Sequence, residues 1–274
     1  MDDKAFGVPF SLAPFHGRVH PDFNDPELVK TLAGCRALLD SPAARILLDG
    51  RNRVAAVRLE AGRGDFEAVV KEFRASGFGK LKTFFTASKA LKAWRGAAAC
   101  VERGIPTPLP IAYLERREKG LVAECFFISE RLEGCREIRF PLREFPPEEL
   151  RRLLSSAARF LSRCHDGGIL HRDLSDGNIL VSTDPGGGFL FSLIDTNRIR
   201  VRRRISVMRR MKNLIRLGVH PRCREFFLTE YMGGRKPGFF AGLWYRCCKR
   251  AYARQVALKK KLGLRKLAKR LGIQ

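Results

Sequence analysis

Between Arg45 and Phe73 the apolar residues come in three short runs, Arg45–Leu48, Val54–Leu59 and Phe66–Phe73. Asp49-Gly50-Arg51-Asn52 and Ala61-Gly62-Arg63-Gly64-Asp65 lie between them. Asp-Gly and Gly-x-Gly-Asp supply positive φ at little cost, so the pattern predicts three successive antiparallel strands joined by hairpin turns. From Ser88 to Arg103 the period changes. Leu91, Trp94, Ala98 and Val101 recur at helical spacing and Gly104 stops the run, which predicts a helix. The proline-rich stretch Ile105–Pro110 leads to two further strands, Ile111–Leu114 and Leu121–Ile128. Pro146–Cys164 opens with two prolines and two acids, the signature of a helix start. After Gly168 the apolar runs are short again, at Ile169–Asp173, Ile179–Val181 and Phe189–Ile194; beyond Arg200 the pattern is helical. Residues 1–40 read as irregular, with a short helix around Pro26–Leu39.

Five strands with one helix, followed by a mainly helical half, predict an α+β chain in two lobes joined near Glu130–Gly134. The expected boundaries are an N-terminal extension at 1–40, a nucleotide-binding lobe at 41–130, a catalytic lobe at 131–242 and a basic helical segment at 243–274.

A hydrophobic fraction of 45% and a charged fraction of 30% describe a folded chain. The start, Met1-Asp2-Asp3-Lys4, lacks the apolar stretch of a signal peptide. The longest apolar candidate, Gly120 to Ser129, is about half of the roughly 20 residues needed to span a bilayer and contains Glu124, so a cytoplasmic location is expected. Cys35, Cys100, Cys125, Cys135, Cys164, Cys223, Cys247 and Cys248 show no repeated close pair of the kind that holds zinc, and they read as reduced thiols.

Net charge changes the picture. Residues 201–274 hold 22 Lys and Arg against Glu225 and Glu230, a charge of +20, while everything before carries only +5. Such a concentration calls for an anionic partner: nucleic acid, an anionic membrane or a phosphorylated substrate.

The chemistry is concentrated in His171-Arg172-Asp173-Leu174-Ser175-Asp176-Gly177-Asn178, with Asp195 seventeen residues later at the end of an apolar run. This spacing matches a kinase catalytic loop. Phosphoryl transfer needs a carboxylate beside the attacking hydroxyl and hard oxygen ligands for the Mg²⁺ that bridges the phosphates. Asp173 suits the first role, with His171 and Arg172 completing the catalytic run, and Asn178 and Asp195 suit the second. A hairpin through Asp184-Pro185-Gly186-Gly187-Gly188 would bring Asp195 back beside Asn178. Upstream, Lys71 ends Ala68-Val69-Val70-Lys71, close to the strand pattern that carries the ATP-phosphate lysine.

The whole pattern resembles the lipopolysaccharide kinase (Kdo/WaaP) family of bacteria, relatives of the protein kinases. The resemblance runs from about Arg45 to Tyr231. It rests on Val70-Lys71, Ser88-Lys89-Ala90 with Trp94, Gly104-Ile105-Pro106-Thr107-Pro108, the run Gly168 to Leu174 with Asn178, and Leu193-Ile194-Asp195 with Arg198. Asp195-Thr196-Asn197-Arg198 resembles that family's Asp-x-x-Arg, where protein kinases carry Asp-Phe-Gly. The resemblance implies a protein-kinase-like fold, ATP and Mg²⁺ as cofactors, and transfer of the γ-phosphate to a heptose or Kdo hydroxyl of the inner core. It also implies Lys71 on the ATP phosphates, the turn at Gly50 as a reduced glycine-rich loop, and Ser129–Glu133, with Glu130 and Leu132, as the hinge facing adenine.

An acid in the Ser88–Arg103 helix is expected to pair with Lys71, yet none stands near Trp94; Glu102 comes only late in the helix. A lipid-linked saccharide and an anionic membrane surface are the partners implied, with the protein peripheral on the cytoplasmic face of the inner membrane. Leu264, Leu267 and Leu271, with cations between them, form the stripe expected to lie there. The alternatives are a small atypical protein kinase acting with nucleic-acid-associated partners, and a kinase-like module without catalysis.

Overall fold

A computed structural model describes residues 6–62, 64–74 and 78–262, and divides the chain into two units. The first comprises Met1–Glu133 with Asp195–Ile199; the second comprises Gly134–Ile194 with Arg200–Gln274.

In the first unit, β1 (Val8–Leu12), β2 (Phe15–Val19), β3 (Arg45–Asp49), β4 (Asn52–Ala61), β5 (Gly64–Phe73), β6 (Pro110–Glu118) and β7 (Leu121–Glu130) form one antiparallel sheet in the order β1-β2-β6-β7-β5-β4-β3. The three hairpin strands form where the Asp-Gly and Gly-x-Gly-Asp turns require. β5 becomes an inner strand, with Val54 and Phe127 as the Cα partners of Lys71.

Residues 6–40 are not irregular, as the sequence pattern suggests for 1–40. β1 and β2 add two strands to the sheet, and α1 (Pro26–Ala33) and α2 (Cys35–Asp40) put Leu28, Leu32, Cys35 and Leu39 into the same core as Val57, Val70, Ile111 and Ile128. β1 is an edge strand, where Pro9 removes no hydrogen bond that an inner strand would need.

A short turn of helix, α3 (Phe78–Leu81), precedes α4 (Lys89–Val101). The Ser88 hydroxyl caps α4 by accepting from the Leu91 N–H at 2.9 Å. Trp94 on α4 is buried between Phe6, with ring centroids 5.6 Å apart, and Tyr113, at 5.7 Å.

The second unit holds β8 (Arg136–Glu137), α5 (Pro141–Glu144), α6 (Pro147–Asp166), β9 (Ile169–His171), β10 (Ile179–Thr183), β11 (Phe189–Leu193), α7 (Val207–Leu214), α8 (Arg224–Tyr231) and α9 (Phe239–Lys261). Leu153, Leu154, Ala157, Phe160, Leu161 and Cys164 recur at the 3- and 4-residue steps that give α6 one apolar face. Phe160 stacks on Phe191 of β11, and Phe227, Leu228 and Tyr231 of α8 are buried. β10 and β11 pair as the expected hairpin, with Ile179 opposite Leu193.

α9 starts at Phe239, four residues ahead of the expected basic segment, and covers that segment's residues up to Lys261 as one helix anchored by buried Tyr245. The stripe of Leu264, Leu267 and Leu271 lies outside the described residues. Among the described residues no helix is long and apolar enough to cross a membrane.

Candidate active site

Within the first unit the structure brings Lys71 and Asp195 together. The Lys71 Nζ donates to Asp195 Oδ1 at 2.5 Å, with both side chains mostly shielded from solvent. The acid that pairs with Lys71 is therefore not on the α4 helix; it is one of the two predicted metal ligands. Lys71 reaches it because β5 alternates faces: Val70 points into the core and Lys71 points away, its ammonium 5.0 Å from the Phe73 ring centroid.

Asp195 has a left-handed backbone, φ 58° and ψ 45°, and stands immediately before the short 3₁₀ turn Thr196–Arg198. That turn rests on α4. The Thr196 hydroxyl donates to the Ala93 carbonyl at 2.8 Å, and a Cβ on Gly96 would stand 2.1 Å from the Thr196 carbonyl oxygen. Only glycine permits so close an approach.

Lys89, in the first turn of α4, is half-buried; burial, then the charges of Arg51, Arg198 and Lys71, hold its ammonium below the ordinary lysine range. A converging set of cations is what a polyphosphate needs. Lys89 is a residue that sequence reasoning quoted for family likeness without giving it a role.

The other expected residues of this unit lie as follows. Gly50 closes the β3–β4 hairpin, where Arg74 donates to its carbonyl at 3.3 Å and to Asp49 Oδ1 at 2.9 Å. Glu130 ends β7, its N–H bonded to the Leu109 carbonyl at 2.9 Å, and burial raises its carboxyl pKa. Leu132 follows in the connecting segment, half-buried.

Within the second unit lies the loop from His171 to Asn178. His171 Nδ1 accepts from the Asp173 N–H at 3.2 Å, so the proton sits on Nε2, which bonds the Ile194 carbonyl at 3.0 Å. Both ring nitrogens hold backbone. His171 is therefore a positioning residue, and Arg172 is exposed. Asn178 Nδ2 donates to the Asp173 carbonyl at 2.7 Å, which leaves the carboxamide oxygen as the ligand end. The Asn178 carbonyl accepts from the Ile194 N–H at 3.1 Å, one residue before Asp195. Asp173 Oδ1 pairs with Arg216 Nη1.

Beneath the loop runs a buried polar chain. Asn213 Nδ2 donates to the His171 carbonyl at 2.9 Å, which fixes its amide and leaves Oδ1 to accept from His165 Nε2 at 2.9 Å. His165 Nδ1 then accepts from the Tyr231 hydroxyl at 2.6 Å. Burial pushes the His165 pKa down to about 4 and raises that of Tyr231. Arg216, Asn213, His165 and Tyr231 were not among the sequence candidates. They lie 42 to 66 residues from their partners or scattered over three helices, with no local pattern to mark them.

Mg²⁺ favours hard oxygen ligands, and each unit offers one by its chemistry: the Asp195 carboxylate in the first and, in the second, the Asn178 carboxamide oxygen. Among the described residues no cluster of three or more His, Cys, Asp or Glu offers another metal centre.

Comparison with known proteins bears on this arrangement. The chain is 29% identical over 196 residues, 64% of its length and 71% of the relative's, to the lipopolysaccharide core heptose(I) kinase WaaP of Pseudomonas aeruginosa. A solved structure described as WaaP in complex with acyl carrier protein matches with a TM-score of 0.53 at 22% identity, over 86% of this chain and 92% of the other. That likeness establishes the expected protein-kinase-like fold. The model of the lipopolysaccharide kinase (Kdo/WaaP) family matches residues 66–226, a span that contains Lys71, Asp173, Asn178 and Asp195, and the chain belongs to that family.

Proposed function

We propose that this chain transfers the γ-phosphate of ATP to a hydroxyl of a heptose or Kdo residue in the lipopolysaccharide inner core. The observation that carries the reading is the 2.5 Å contact between Lys71 and Asp195, a cation and a hard oxygen ligand side by side, as a metal–nucleotide complex requires. In this reading Lys71 binds the ATP phosphates, with Lys89 adding positive charge. Asn178 and Asp195 hold Mg²⁺, which when bound neutralises charge on the phosphates. Asp173 accepts the proton of the attacking hydroxyl, in a loop fixed by His171 and Asn178. Glu130 and Leu132 face adenine.

Exposed Phe239, Phe240 and Leu243 at the start of α9, followed by cations along the helix, support peripheral attachment to an anionic membrane face where a lipid-linked saccharide would lie. Mass spectrometry of lipopolysaccharide core from cells with and without the gene tests the reading. Core made without the gene should be lighter by one phosphate, on heptose or on Kdo, and fragmentation names the sugar. Identical core masses would overturn the proposal.

A further inference from the structure

The second unit carries a basic groove that the phosphotransfer residues leave unexplained. Along α9, Tyr245, Arg246, Lys249, Arg250, Tyr252, Ala253, Val256 and Ala257 recur at the spacing of one helix face. Three cavities of about 440, 520 and 520 Å³ follow that face. All three have Arg224 and Lys249 in their walls. Their walls include six cations, Arg143, Arg224, Lys236, Arg246, Lys249 and Arg250, against one acid, Glu225, which is engaged by Lys236 at 3.0 Å. Among the described residues Arg143, Arg224, Arg246 and Arg250 have no carboxylate partner. Concave walls with one sign of charge focus the field and repel each other until an anion arrives.

Two contacts tie the groove to the catalytic loop. Its Gly218 lies against Asp176, whose Oδ2 is 2.7 Å from where a glycine Cβ would stand. Its Tyr252 ring lies 5.9 Å from the Arg216 guanidinium, which pairs with Asp173. Lys249 is built into the floor. Its ammonium donates to the Ile215 and Leu217 carbonyls at 2.6 and 2.7 Å, on either side of Arg216, and keeps a third N–H for a ligand. Burial first, and then the Arg224 charge, push its pKa down to about 8, against the smaller opposing pull of the Asp176 carboxylate.

We propose that the groove along α9 is the acceptor subsite, where Arg224, Lys249 and Arg250 bind phosphate monoesters already present on the saccharide. The proposal rests on the kinase reading for the identity of the acceptor. The cavity sizes suit phosphate groups and a sugar ring against Tyr252. Because Gly218 and Tyr252 of the groove lie beside Asp176 and Arg216, a saccharide anchored there extends to the carboxylate of Asp173. A phosphorylated acceptor is thus selected over its unphosphorylated form, which orders this transfer after an earlier phosphorylation of the same glycan.

The test is calorimetric binding of de-acylated core oligosaccharide to the full chain without nucleotide, so that neither membrane nor turnover enters. The oligosaccharide is used with its phosphates and after phosphatase treatment. Phosphatase treatment should weaken binding to the unaltered protein at least tenfold, as expected for loss of charge-assisted hydrogen bonds. Arg224→Gln/Arg250→Glu should bind the phosphorylated form at least tenfold more weakly and lose the difference between the two forms. In turnover its acceptor KM should rise while the KM for ATP stays the same. Arg250→Glu alone, at an exposed position, repeats the test if the double variant unfolds. Equal affinity for the two oligosaccharides, or a single variant that binds the phosphorylated form like the parent, overturns the subsite. Unchanged saccharide binding with salt-sensitive RNA binding lost in the variant also overturns it, in favour of a nucleic acid. If phosphate-dependent binding holds but the protein transfers nothing from ATP, the kinase reading fails and the groove stands.

Discussion

The lysine of the first unit and the carboxylate of the second are held in place by opposite means. Lys71 sits on β5, an inner strand bonded on both sides, so backbone ladders and the core beneath Val70 set its position. Asp173 sits on a loop with no ladder of its own. It is held by His171 and Asn178 against its backbone, and these rest on Asn213, His165 and Tyr231. A strand shares positional error among many equivalent bonds. A polar chain concentrates it, because each buried donor or acceptor that loses its partner costs about 1–3 kcal/mol. The two units should therefore answer mutation differently.

The largest effect is expected at the loop's own carboxylate. Removing a catalytic base costs about 10² to 10⁴ in rate, so Asp173→Asn should nearly abolish phosphate transfer in a purified-enzyme assay while thermal unfolding changes little. Turnover near the parent's would remove Asp173 from the base role.

Asn213→Ala should act on both fold and rate, for it strands the His165 Nε2–H and leaves the His171 carbonyl with the Leu174 N–H at 3.1 Å. One such buried group predicts a loss of about 1–3 kcal/mol in denaturant unfolding, with kcat falling more than the KM for ATP. A variant as stable and active as the parent would show that the loop does not depend on the chain beneath it.

The pH dependence sharpens the same point. His165 has a folded pKa of about 4, below the 6.5 of an ordinary histidine, so the unfolded chain binds its proton more readily. The stability of neutral His165 is complete above about pH 6.5 and is lost as pH falls from there toward 4, on the order of 3 kcal/mol in all. Unfolding measured over that window should show a shallower slope in His165→Gln than in the parent.

Lys71→Met supplies the contrast from the strand. The ladder survives the change, so stability should shift by less than about 1 kcal/mol, while the KM for ATP rises about tenfold, as loss of one charged contact predicts. Unfolding of the first unit in this variant would erase the distinction between strand and loop.

Membership in the family makes the chain a phosphotransferase acting on a sugar hydroxyl, which sets aside the reading of a kinase-like module without catalysis. What could be foreseen divides along local and distant lines. The strands from Arg45 to Phe73 were legible because their turns are written between them. The catalytic loop was legible because Asp173 and Asn178 stand at fixed spacing in one run. β1 and β2 were not, because Pro9 and Pro14 obscure short strands whose place at and beside the sheet edge tolerates them. The partner of Lys71 was sought in the nearest helix, yet it is 124 residues away, and Arg216 is 43 residues from Asp173. Periodicity describes faces of single elements; it carries no information about which distant charge will meet which.

The left-handed turn at Asp195 restricts which residues can be used to study that position. Among ordinary side chains only Asn and Asp enter this backbone region readily, because their short polar groups bond locally. Asparagine at 195 therefore removes the charge and keeps the turn. Alanine removes the charge and adds about 1–2 kcal/mol of steric cost, which relaxes by moving Thr196 off Ala93 and Gly96. An inactive alanine protein would confound lost metal binding with a displaced helix contact, whereas an inactive asparagine protein reports the carboxylate alone. The backbone at this single residue thus decides which substitution is a clean experiment.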